Sequence, residues 1–150
     1  MKYKDMFNAV CGILGSFMVF LFGPWNGALA TLIIFMGVDY LTGLILAGVF
    51  KKSPKTDSGA LESRAGWKGL ARKGITLLIV LVAFQLDLIM NTEYIRDAVI
   101  IAFIVNESIS IIENAALMGI PIPKQITKAI ELLKDKEIKH KYDDSDNESE

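Results

Sequence analysis

The chain has 150 residues, 52% of them hydrophobic, and a formal net charge of −1. Its mean hydropathy of +0.40 is high for a water-soluble domain. The one cysteine, Cys11, excludes an internal disulfide framework, and the one histidine, His140, stands in a charged tail, so a His-based metal or catalytic site is not expected.

After Lys2, Lys4 and Asp5 no formal charge occurs until Asp39, a gap long enough for a membrane span. Residues 6–22 form the first apolar segment, and "GPWNG" at 23–27 interrupts it, with Trp25 suited to the interface. "ALA" at 28–30 imitates a signal-peptide cleavage site. The apolar run resumes beyond it, however, so the N-terminal segment is expected to remain attached. The second segment covers about 28–50, and a polar stretch occupies 51–73. The third covers about 74–90 and the fourth about 95–118, ended by "GIPIP" at 119–123. The fold class is therefore all-α and integral to the membrane, with about four transmembrane helices.

Positive charge sets the orientation. Of the 16 Lys and Arg residues, only Arg96 falls on the side opposite the N-terminus, the middle loop and the C-terminal region. Both termini are then cytoplasmic in a multi-pass membrane protein. Residues 1–123 read as the transmembrane domain, 124–142 as a cytoplasmic amphipathic helix, and 143–150 as a disordered acidic tail. The amphipathic segment suits contact with membrane lipids or with copies of itself.

Four acids fall within the spans: Asp39, Asp87, Glu107 and Glu113. In the fourth span the apolar residues favour insertion by about 3–6 kcal/mol, whereas two central acids oppose it by about 5–7 kcal/mol. That helix needs partners. At about 100° per residue, Asn106, Glu107, Ser110, Glu113 and Asn114 share an arc of about 120°. Cations to pair the acids are missing from the spans, because Lys68, Arg72 and Lys73 read as basic groups at the membrane surface. Two arrangements remain: protonated acids bonding between helices, or ionised acids lining an aqueous lumen built by several copies. Gly12 with Ser16, and Gly43 with Ala47, are small pairs four residues apart that permit close helix contact.

Several stretches together resemble the toxin-secretion/phage-lysis holin family of Gram-positive bacteria and their phages, over about residues 35–135. They are "DYLTGLILA" at 39–47, "SRAGWKGLARK" at 63–73, "IVNESISIIENAALMGIPIP" at 104–123 and "AIELLK" at 129–134. The resemblance implies a protein without enzymatic activity or cofactor that oligomerises in the bacterial cytoplasmic (inner) membrane. Its lesions would let a muralytic enzyme (an endolysin) or a large toxin leave the cell. It also implies structural or pore roles for Asp39, Arg72, Lys73, Glu107, Glu113 and Asn114, which lie on the matching motifs.

The competing reading is a small ion channel or transporter built on the intramembrane acids. An aspartyl dyad of Asp39 and Asp87 is excluded by depth, since the two differ by roughly 10 Å along the membrane normal. Nucleic-acid binding has no support, because topology already accounts for the basic middle loop.

Overall fold

The computed structural model describes residues 2–133. They form helices joined by turns and loops, with no strand among the described residues. The long helices are α1 (Lys2–Phe22), α2 (Gly27–Ile45), α3 (Ser63–Met90) and α4 (Ile95–Leu117). α2 runs on into one π-helical turn, Leu46–Phe50. Residues 124–133 are again helical, with Ile126 exposed and Ile130 and Leu133 half-buried. The rest of the expected amphipathic segment, 134–142, and the acidic tail at 143–150 lie outside the described residues.

Among the described residues three helices are long and apolar enough to cross a membrane: Lys2–Phe22, Gly27–Phe50 and Ser63–Met90. α4 is not among them; it carries Arg96, Asp97, Glu107 and Glu113. Its place in the fold explains how it tolerates them, because it packs against both α2 and α3. α1 is the opposite case, with no buried residue. It reaches α3, and Phe22 at its C-terminal end packs against the core.

α3 starts well before the expected boundary near 74, so residues 63–73 of the basic segment are helix rather than loop. Hydropathy marks where the bilayer ends, not where the hydrogen-bond ladder ends. Ala, Leu, Arg and Lys all continue a helix readily. At about 1.5 Å per residue α3 is about 42 Å long, more than the hydrocarbon thickness of about 30 Å. Its charged first turns can therefore stand outside the apolar layer.

Two ends of the bundle differ in construction. At one, short turns join α1 to α2 and α3 to α4; this is the turn end. Gly23 makes the first turn at φ +78, and a Cβ there would lie 2.5 Å from the Phe84 ring and 2.6 Å from Arg96 Nη1. Asn26 then caps α2 by accepting the Leu29 amide at 2.9 Å. At the other end α2 joins α3 through residues 51–62, the loop end. This loop is folded on itself: the Ser53 amide donates to the Gly59 carbonyl at 3.0 Å. Gly59, at φ +67, leaves room for the Lys51 carbonyl, which a Cβ would meet at 2.4 Å.

The apolar core fills the half of the bundle nearer the turn end. Leu29, Leu32 and Met36 of α2 meet Val80 of α3 and Ile100 and Ile104 of α4. In α2, Leu29, Leu32, Met36 and Asp39 are buried, and in α3, Thr76, Val80, Ala83 and Asp87. These are alternating three- and four-residue steps, the spacing that keeps one seam facing a neighbouring helix.

Candidate functional site: a charged cluster between three helices

Followed toward the loop end, the same seams turn polar. One step before Thr76 on the α3 seam is Lys73. Its Nζ donates to Asp39 Oδ2 of α2 at 2.8 Å and to Glu107 Oε2 of α4 at 2.5 Å. The three side chains are only 12%, 9% and 9% exposed. Asn114, one further turn-pair along α4, donates from Nδ2 to Asp39 Oδ1 at 3.1 Å and to Thr42 Oγ1 at 3.0 Å. Gly43 faces α4 here: a Cβ on it would meet that amide nitrogen at 3.8 Å, an ordinary van der Waals contact. Asp39 thus has one carboxylate oxygen on Lys73 and the other on Asn114.

The lysine corrects the expectation that no cation pairs the intramembrane acids. Lys73 is not a surface group like Lys68 and Arg72, which are exposed. With α3 extended upstream, Lys73 lies in the third turn of the helix on its buried seam. Continuing the spacing backward from Val80 and Thr76 would have found it. Two carboxylates nevertheless share one ammonium, so the ionised cluster carries a formal charge of −1.

A cavity of about 140 Å³ adjoins the cluster on the side of the 51–62 loop. Its wall includes Asp39, Lys73 and Glu107 together with Asn106 and Ser110. The five polar residues expected along one face of α4 therefore separate. Glu107 and Asn114 are buried against α2 and α3, Ser110 is half-buried, and Asn106 and Glu113 are exposed. An arc of about 120° is wider than the strip a neighbouring helix covers, so the edge carrying Asn106 and Glu113 stays open.

Asp87 belongs to a different network, at the turn end. It accepts the Ile95 and Arg96 amides at 3.0 and 2.8 Å and the Thr92 hydroxyl at 2.6 Å. These amides open α4 and have no intrahelical acceptor, so Asp87 caps the next helix from the end of its own. Arg96, which the sequence marks only as an outlying cation, donates from Nη1 to the Phe22 and Pro24 carbonyls at 3.0 and 3.2 Å. It pairs with Asp97 at 3.0 Å, and Asn26 Nδ2 donates to the same Asp97 oxygen at 3.2 Å. Its guanidinium lies 5.7 Å from the centre of the Phe84 ring. Asp39 and Asp87 thus serve separate networks and do not form a catalytic pair. Among the described residues no buried side-chain nitrogen or oxygen lacks a partner, and no group of His, Cys, Asp or Glu could hold a metal.

The family model of the bacteriophage holin family matches residues 16–135, which contain both networks. The chain belongs to the bacteriophage holin family. It is 36% identical over 109 residues to the probable holin of Bacillus phage phi105, covering 71% of this chain and 75% of the phage protein. It is 37% identical over 125 residues to an uncharacterised 14.9 kDa protein of Clostridium perfringens, covering 82% and 89% of the two chains. An uncharacterised protein of Halalkalibacterium halodurans is 38% identical over 133 residues, covering 85% and 93%. No solved structure matches this holin.

Proposed function

We propose that this holin accumulates in the bacterial cytoplasmic membrane and assembles with its own copies into lesions. Through these a muralytic enzyme or a large toxin leaves the cytoplasm. The reading places four spans across the bilayer with both termini inside, α4 being the polar fourth span shielded by α2 and α3. Lys51, Lys52, Lys55, Arg64, Lys68 and Arg72 then face the cytoplasm, as the positive-inside rule asks.

One observation carries this reading beyond family membership. Asn106 and Glu113 are exposed on α4, with half-buried Ser110 between them. Lipid is a poor neighbour for an amide and a carboxyl at such depths. Several copies placing this edge toward a common axis would give it water. Glu107 and Asn114 in the same reading are contacts within the protomer, so both roles weighed for the α4 acids are used, by different residues.

A single-protomer ion channel has less support. The cavity beside the cluster is lined by residues of the loop-end half, and the apolar core of Leu32, Met36, Val80 and Ile104 fills the other half of the bundle. The deciding experiment is regulated expression in a bacterium that also makes a cytoplasmic muralytic enzyme. Growth should stop abruptly, the membrane potential should collapse, and the enzyme should reach the wall. Full membrane accumulation with the potential intact and the enzyme retained would overturn the function.

A further inference from the structure

We propose that the Lys73–Asp39–Glu107–Asn114 cluster is a latch that holds the protomer closed, and that α4 must part from α2 at the loop end before a lesion opens. The proposal rests on the holin reading and adds the step that controls it.

The two ends of the bundle supply the mechanics. At the turn end α3 and α4 are joined through Asp87, α1 and α4 through Arg96, and the connecting turns are short. That end is a fixed pivot. At the loop end α2 and α3 are joined by residues 51–62, and α4 is followed by Gly119 at φ +82, where the helix has ended. The side-chain hydrogen bonds that join α2, α3 and α4 in this half all belong to the cluster. Helices in lipid gain little from burying apolar surface against each other, so such polar bonds carry more of the specificity of their association.

The charge arrangement makes the closure conditional. Asp39 Oδ2 and Glu107 Oε2 both contact the same ammonium nitrogen. With Lys73 in place the two carboxylates bind α2 and α4 together through it. With Lys73 withdrawn they face each other across the seam, and the force between the helices changes sign. The adjoining cavity gives the lysine somewhere to go: its wall runs from Lys73 to Arg72, Lys55 and Glu62 at the loop end. Parting α2 from α4 would also uncover Asp39, Glu107 and Asn114. These would join Asn106, Ser110 and Glu113 as a wider polar wall, so groups that close the protomer become groups that face water.

The test compares the time from induction to loss of membrane potential at matched membrane levels of protein. Lys73→Met leaves the carboxylates without their cation and should trigger earlier by about twofold or more, as loss of one partner of a buried pair predicts. Lys73→Arg should stay near the wild-type time. Adding Glu107→Gln to Lys73→Met should recover part of the delay by removing the repulsion. Wild-type release together with an unchanged or longer time for Lys73→Met would overturn the latch while leaving the holin function standing. Failure of the wild type to release enzyme would instead strike the function itself.

If Lys73→Met does not accumulate, a covalent version decides. In a Cys11→Ser background, Gly43→Cys with Asn114→Cys places two thiols across the α2–α4 seam. The oxidised protein should keep the membrane potential, and reduction should collapse it. Opening of the oxidised form on the wild-type schedule would overturn the proposal.

Discussion

The turn end and the loop end of this bundle use the same chemistry to opposite purposes. Each contains a buried aspartate, a basic side chain and an amide. At the turn end Asp87 and Arg96 spend their bonds mainly on backbone groups close by: the first amides of α4 and the carbonyls of Phe22 and Pro24. Such contacts finish helices, and they persist for as long as the helices do. At the loop end Asp39, Lys73, Glu107 and Asn114 bond chiefly to one another across three helices. Those bonds can part without any helix unwinding. Polar residues buried in a membrane bundle are therefore not one class; what they bond to decides whether they make the fold or make it convertible.

The contrast is broken most severely at Asp87. Asp87→Ala leaves the buried Arg96 amide and the half-buried Ile95 amide without their acceptor and should cost about 2–3 kcal/mol, seen as poor accumulation and a lowered thermal midpoint in detergent. If Asp87→Ala instead accumulates normally and only changes the time of opening, the two ends are not distinct. Gly23→Ala comes next. Its positive φ and the close approach of Phe84 and Arg96 predict a loss of about 1–3 kcal/mol by the same thermal measurement. The smallest effect on stability belongs to Glu113, exposed and outside both networks. Glu113→Gln should shift stability by no more than about 0.5 kcal/mol while altering conductance or the size of released cargo once lesions open.

Hydropathy locates the second and fourth helices but not the start of α3, which begins at Ser63 rather than near 74. The segments expected at 28–50 and 95–118 are helical over Gly27–Phe50 and Ile95–Leu117. Asp39 and Glu107, both read as acids within the spans, meet on one lysine. Lys73 itself was hidden because it lies where the hydropathy profile changes, and a profile averages over every direction around a helix. Its placement follows from angle: it shares the seam of Thr76, Val80 and Ala83. The division of the α4 polar face had the same origin. Periodicity groups Asn106 and Glu113 with Glu107 and Asn114, but which edge a neighbour covers depends on how α2 and α3 approach. Asp87 and Arg96 were hidden for another reason, since they satisfy backbone groups that every sequence possesses. The π-helical turn at Leu46–Phe50 had no counterpart in the pattern.

The seam on α3 makes the charge pattern of this chain an angular record as well as a linear one. One residue inserted between Lys73 and Thr76 barely alters the hydropathy profile, yet it turns Lys73 by about 100° away from Asp39 and Glu107. Seven residues inserted there restore the direction but move the ammonium about 10 Å along the axis. Either change should reproduce the early opening expected of Lys73→Met, read by the time to depolarisation, although no charge has been removed. For this segment the count of residues between charges is constrained as tightly as their identity, and a helix can tell time only while its phase is kept.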